Sequence, residues 1–314
     1  ARPWGLILFK RNIENKAQVI RLVGEFLDEV GADAPVLIDQ EGGRVQRLQP
    51  PLWPAYPPGA AYGAIYAQDK AKGLAAAKLG ARLIAADLQE LGINVDCLPL
   101  ADVPVSGADQ VIGIRAYGDT PEQVAAVAQA VADGLAEGGV LPVLKHIPGH
   151  GRANADSHLA LPTVPTDRGT LERTDFAAFK PLAGLPMAMT AHVVFNAIDP
   201  LSPATTSATM IAEVIRGFIG FGGLLMSDDV SMNALSGTLA ERTRASLKAG
   251  CDVALHCNGK MDEMQQVAAE SPELSGKAAE RASAALASRN RRLPAGAGRA
   301  ILRHGRGERA GVPR

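Results

Sequence analysis

Thr120-Pro121-Glu122-Gln123, followed by Leu141-Pro142-Val143-Leu144-Lys145-His146, spells a helix start and then a buried strand. Thr at the N-cap, Pro in the first turn and Gln three residues on predict a helix running to about residue 137. The strand that follows is apolar on both alternating faces until it ends in a lysine and a histidine, as expected where helices cover one side of a sheet and a packed interior the other. The same rhythm extends in both directions. A helix is predicted over 70–91, rich in Ala, Leu and Lys and stopped by Gly92. Strands are predicted at 5–9, 36–39, 93–100, 141–146, 188–192, 223–227 and 252–256. Repeated βα units of this kind favour an α/β fold of the (β/α)8 TIM-barrel class, as a single catalytic domain over residues 1–293. Seven strands are visible where closure needs eight, so the first strand is expected before Ala1, outside this numbering. An open doubly wound sheet would accommodate seven as well, but Glu41-Gly42-Gly43-Arg44 lacks the spacing of a phosphate-binding turn.

Composition narrows the function. The 314 residues are 47% hydrophobic, 4% aromatic and 21% charged, with a formal net charge of −1. That excludes the basic, aromatic-interleaved surface of a nucleic-acid binder. The exception is residues 289–314, with eight Arg against one Glu; 294–314 reads as a basic Gly/Arg-rich tail and solvated surface. Three cysteines, Cys97, Cys251 and Cys257, form neither an even framework nor a C-x-x-C pair, so a reducing compartment is expected. The longest uncharged apolar stretch, 181–198, contains Pro181, Pro186, His192 and Asn196 and is not read as a membrane span.

Polar residues interrupt the strand ends, where a barrel carries its chemistry. Asp39, Lys145 with His146, His192, and Ser227-Asp228-Asp229 would all face one rim. The segment from Lys145 to His158 holds His146, His150 and His158 with two Gly and a Pro, which predicts a mobile loop. The histidines lack a helical i, i+4 pair, so no metal site is expected, although His146 and His150 could converge through the loop. In Asp156-Ser157-His158, extended spacing turns the carboxylate and imidazole the same way, either as a general acid/base unit or as a contact that shapes the loop. In Asp228-Asp229, adjacent residues point to opposite faces, so one carboxylate should enter the barrel mouth, and spacing does not say which. Arg47, Arg115, Lys145 and Asp39 could supply hydrogen bonds to a sugar. Ser227 has no G-x-S-x-G context.

Ile38-Asp39-Gln40-Glu41-Gly42-Gly43-Arg44-Val45, Lys145-His146 with Pro148-Gly149-His150-Gly151 and Asp156-Ser157-His158, and Ser227-Asp228-Asp229-Val230-Ser231-Met232 together resemble glycoside hydrolase family 3. Within it they resemble the bacterial NagZ-type β-N-acetylglucosaminidases (β-hexosaminidases). Ile147 stands where Phe is more usual and Val230 where Leu is common. The resemblance implies a retaining mechanism with no metal or cofactor. It implies Asp228 as the nucleophile, His158 as the acid/base and Asp156 as its partner. It carries substrate binding to Asp39, Arg47, Arg115, Lys145 and His146, and matches His192 and Asp229 with less defined roles. The implied substrate is a GlcNAc-containing saccharide or muropeptide, cleaved in the cytoplasm during cell-wall recycling. From composition no nucleic-acid or membrane partner is expected, and a monomer is favoured although the sequence does not report the oligomeric state. A phosphorylase passing the same glycosyl-enzyme to phosphate is the alternative, and a non-catalytic sugar-binding barrel is a third reading.

Overall fold

The computed structural model describes residues 2–157 and 159–289. His158 and the 294–314 tail therefore lie outside the described residues. Seven parallel strands form one sheet in chain order: Leu6–Leu8, Val36–Ile38, Val95–Asp96, Leu141–Ile147, Met187–Thr190, Leu224–Asp229 and Val253–Leu255. All seven are strands expected from the sequence. The third is shorter than its apolar run; beyond it, the Cys97 N–H still reaches the Ile38 carbonyl, the Leu98 and Pro99 carbonyls accept from Val143 and Lys145, and Leu100 pairs as an isolated bridge with Lys145.

Alternation along these strands builds two cores. Leu8, Val36, Ile38, Leu144, Ala188 and Leu225 face outward and pack with apolar residues of the helices Lys16–Val30, Lys70–Glu90 and Pro121–Glu137. Leu37, Val95, Leu141, Val143, Met187, Met189, Leu224 and Met226 face inward and share a separate cluster with Ala282 and Ala285. Those alanines belong to the helix Gly276–Ala287, which is anchored where Arg281 donates to Asp252 at 2.8 Å, just ahead of the last strand. The final helix thus covers the N-terminal end of the sheet and leaves the C-terminal rim for chemistry.

The sheet curls as a half-barrel of the (β/α)8 type. Among the described residues the first and last strands do not pair with each other, and the eighth strand expected from the sequence is not present. A side chain links the two ends instead: the Arg11 guanidinium donates to the Cys257 carbonyl and lies 4.7 Å from the Phe9 ring centre. Among the described residues no helix is long and apolar enough to cross a membrane.

The predicted helix signals appear where the residues put them. Thr120 accepts the backbone N–H of Gln123, Pro121 occupies the first turn, and the helix ends at Glu137. Lys70–Glu90 starts at Asp69, which accepts from the N–H of Lys72, and stops before Gly92 at φ +78°. These two helices pack closely because Gly134 has no side chain: a Cβ there would lie 2.3 Å from the Lys78 carbonyl oxygen. Gly134→Ala should therefore destabilise the fold by about 1–3 kcal/mol, despite alanine's better helix propensity, because overpacking outweighs a propensity gain of about 1 kcal/mol. Denaturant unfolding checks the sign, and a more stable variant would refute the close-packing account.

Candidate active site

The rim is organised around a buried lysine. Lys145, near the end of the fourth strand, has a side chain only 2% exposed, and its ammonium lies 2.8 Å from Asp39 Oδ1 and 2.6 Å from Glu41 Oε1. Asp39 in turn receives Arg47 Nη2 at 2.9 Å. Glu41 receives Arg115 through Nε and Nη2, both at 2.8 Å. Positive and negative groups thus alternate along Arg47, Asp39, Lys145, Glu41 and Arg115. A buried cation needs such partners, because desolvation without them costs several kcal/mol.

Local backbone explains how the sequence brings these groups together. Residues Gln40–Gly42 and Val45–Gln46 form a small antiparallel ribbon just beyond the second strand. Gln40 holds it: its amide oxygen accepts the N–H groups of Arg47 and Leu48, and its Nε2 donates to the Leu48 carbonyl. Gly42 and Gly43 turn the ribbon with φ of +91° and +56°. Arg47 is also steadied by Phe9, its guanidinium carbon 5.2 Å from the ring centre.

Charge dominates the electrostatics. Burial alone would raise the Asp39 pKa, but the Lys145 and Arg47 charges overcome it and hold the carboxyl well below its usual range. Glu41 follows the same balance, with Lys145 and Arg115 bringing it down to about 2. Below these groups lies Asp96, fully buried, with Oδ1 accepting the Gln40 N–H at 3.0 Å; burial raises its pKa well above the ordinary value.

A second unit surrounds His146. Asp102, fully buried, lies 2.7 Å from His146 Nδ1 and accepts the His150 backbone N–H at 2.6 Å. The two imidazoles meet edge to face, their centres 5.7 Å apart. His150 Nε2 is 3.0 Å from Ser157 Oγ, and burial, with His146 nearby, lowers its pKa to about 4, so this ring is neutral at ordinary pH. Sequence spacing raised His146 and His150 as converging metal ligands; they converge on a carboxylate. Among the described residues no group of three or more His, Cys, Asp and Glu is arranged to hold a metal ion.

Of the segment from Lys145 to His158 expected as a mobile loop, Lys145–Ile147 instead complete the buried fourth strand; the part after Gly149 is a loop, and its first stretch is braced. Gly151 passes so close to Val103 that a Cβ would lie 2.0 Å from the Val103 carbonyl oxygen. Arg152 grips Asp175 through Nε and Nη2 at 3.0 and 2.9 Å, and Asn154 Oδ1 accepts the Thr163 N–H. Asp156 is half-buried, and its carbonyl accepts the N–H groups of Leu159 and Ala160.

At the end of the sixth strand the two aspartates diverge. Asp229 is tied down: its Oδ1 accepts the N–H groups of Ser231 and Cys257, and its Oδ2 accepts the Ser231 hydroxyl at 2.6 Å. Asp228 accepts the Asp229 N–H at 2.8 Å and sends its own N–H to Thr190 Oγ1. Its charge acts on His150, and the half-buried Cys257 thiol, pushed up first by desolvation, also feels Asp229, Asp39 and Asp228. Asp228, at the end of the sixth strand, and Lys145, near the end of the fourth, stand at the same C-terminal rim of the parallel sheet. His192 stands apart. It is fully buried, with Nδ1 2.7 Å from Thr205 Oγ1 and Nε2 2.9 Å from the Asp229 carbonyl, so both ring nitrogens support the protein rather than face a ligand.

Sequence reasoning missed Glu41 and Asp102. Two-residue strand spacing from Asp39 would have put Glu41 on the same side. Asp102 follows an expected strand as another acid at the rim. Glu41→Gln should lower stability at pH 7 by about 3–5 kcal/mol, the usual effect of breaking a buried ion pair. Because the folded pKa is depressed, the wild-type advantage holds above the ordinary carboxylate range and is lost as pH falls towards about 2. Unfolding curves at pH 7 and pH 3 read the narrowing, and a gap independent of pH would refute the charge account.

Comparisons with known proteins place the chain in a family. A β-hexosaminidase of Alkalilimnicola ehrlichii is 40% identical over 261 residues, covering 82% of this chain and 74% of that protein. One from Aromatoleum aromaticum is 35% identical over 258 residues, covering 81% of this chain and 72% of that protein. The crystal structure of NagZ from Neisseria gonorrhoeae in complex with N-trifluoroacetyl-D-glucosamine superposes with a TM-score of 0.83 at 33% identity, covering 95% of this chain and 86% of that one. Residues 4–288 match the family described as Glycosyl hydrolase family 3 N terminal domain, and the chain belongs to that family of glycoside hydrolases.

Proposed function

We propose that the protein is a retaining exo-β-N-acetylglucosaminidase that removes terminal β-linked N-acetylglucosamine. The observation that carries the reading is the divergence of Asp228 and Asp229: Asp229 is committed to Ser231 and Cys257, and Asp228 stands at the same strand-end rim as Lys145. The relatives named for β-hexosaminidase activity, and the N-acetylglucosamine derivative bound in the Neisseria structure, support the choice of sugar.

In this reading the Asp228 carboxylate attacks the anomeric carbon while His158 gives its proton to the leaving oxygen, forming a glycosyl-enzyme. His158 then takes a proton from water as that water releases the sugar. Asp156 orients His158 and stabilises its charged form. A histidine in the acid/base role adds no second negative charge beside the nucleophile and titrates near neutrality. Asp39, Arg47, Arg115, Lys145 and His146 bind the hydroxyl and acyl groups of the sugar. The proposed natural substrate is a muropeptide carrying N-acetylglucosamine on 1,6-anhydro-N-acetylmuramic acid, within cytoplasmic cell-wall recycling.

Turnover of 4-nitrophenyl β-N-acetylglucosaminide tests the assignment. Asp228→Asn should lower kcat at least about 1000-fold, as expected for a lost nucleophile, and NMR should show the β-anomer as the first product of the wild type. An active Asp228→Asn or an α first product would sink the mechanism. His158→Ala should cost about 100- to 10,000-fold on leaving groups that need a proton and far less on a 2,4-dinitrophenyl glycoside. Inorganic phosphate should leave the wild-type rate unchanged; acceleration with release of a sugar phosphate would make the enzyme a phosphorylase.

A further inference from the structure

We propose that Asp102 is a positioning residue that fixes the tautomer of His146, so that His146 Nε2 faces the sugar as a hydrogen-bond acceptor and selects for one hydroxyl of the substrate. The inference rests on the reading of His146 as a sugar contact and goes beyond it to the residue that sets what kind of contact it makes.

The geometry carries the argument. Asp102 is fully buried and its Oδ2 lies 2.7 Å from His146 Nδ1. A carboxylate only accepts, so Nδ1 must carry the hydrogen. In the neutral ring, Nε2 is then an acceptor. Among the described residues no hydrogen bond reaches that Nε2, whereas both ring nitrogens of His192 and the Nε2 of His150 have partners. The His146 side chain is 10% exposed, and it follows directly on Lys145, which lies within the charged array.

Asp102 is itself held in place. Its Oδ1 accepts the His150 N–H at 2.6 Å, so the Gly149–His150 peptide fixes the carboxylate that fixes the ring. Every other polar group that meets substrate in the proposed site from the array is a cationic donor, Arg47, Lys145 or Arg115, or an acid already engaged by those cations. An imidazole acceptor adds a different demand. It is met by a sugar hydroxyl that donates and is not met by a hydrogen or fluorine in its place.

The test has two arms. In wild-type enzyme labelled with 15N-histidine, long-range 1H–15N correlation reads each neutral ring's tautomer, and His146→Gln assigns the His146 signals by their loss. Protonated Nδ1 with bare Nε2 is expected; the opposite tautomer overturns the proposal, and this arm needs no variant of Asp102 to fold. In the second arm, kcat/KM is measured for 4-nitrophenyl β-N-acetylglucosaminide and its 3-, 4- and 6-deoxy and deoxyfluoro analogues. Asp102→Asn should lower kcat/KM on the parent by about 10- to 100-fold, the worth of one charge-assisted hydrogen bond. It should also erase the penalty for one analogue pair while leaving the others as in wild type, and His146→Ala should erase the same penalty. An equal loss on every analogue marks Asp102 as merely structural and overturns the proposal. Loss of one penalty in His146→Ala but not in Asp102→Asn overturns the role of Asp102 alone. If His146→Ala erases none, the reading of His146 as a sugar contact fails and the inference falls with it.

Discussion

The ammonium of Lys145 is the constraint around which the rim is built. A cation 2% exposed at the end of an interior strand is tolerable only between carboxylates, and Asp39 and Glu41 supply them from the neighbouring ribbon. Each carboxylate then needs its own second partner, found in Arg47 and Arg115. The need propagates outward to the Gln40 side chain that pins the ribbon and the glycines that turn it. The result is a preorganised wall of fixed charges along one side of the proposed site.

The division between the ends of the sheet serves the same purpose. Apolar residues on both strand faces give two separate cores, and the helix Gly276–Ala287 seals the inner one at the N-terminal end. All polar groups with chemistry to do are left to the opposite rim, where strand ends and loops converge. His192 shows the support this takes: its two nitrogens hold Thr205 and the Asp229 backbone, and Asp229 in turn holds the turn that follows Asp228.

Much of this was legible in the residues. Strand positions followed from apolar runs, helix starts from Thr120 and Pro121, and the rim from polar residues ending strands. The ambiguity of Asp228 and Asp229 was not resolvable by alternation, because it depends on Ser231 and Cys257, the latter distant in sequence. Glu41 was readable by spacing but was overshadowed by the glycines beside it. Asp102 was hidden for a different reason: its meaning comes from His146 and His150, which reach it only after the chain has crossed a whole helix and strand. His146 and His150 do converge, but through Asp102, which meets the ring of one and the backbone N–H of the other.

The last strand, Val253–Leu255, pairs only with the sixth among the described residues, and all three of its residues are half-exposed. It is held by the ladder to Met226 and Asp229, by the Val230 N–H on the Leu255 carbonyl and the Ser227 hydroxyl on the Leu255 N–H, by the Asp252 carboxylate shared by Arg216, Arg281 and the Leu225 N–H, and by partial packing of Val253 and Leu255 on the inner core. Segments with so little burial open at the low end of a protein's free-energy scale, before the whole chain unfolds. Here such an opening would withdraw the Cys257 N–H from Asp229 and release the turn beside Asp228. The last strand is therefore joined, through the Cys257 N–H and Asp229, to the turn beside the carboxylate proposed to react, so that its pairing bears on the site as well as on the sheet.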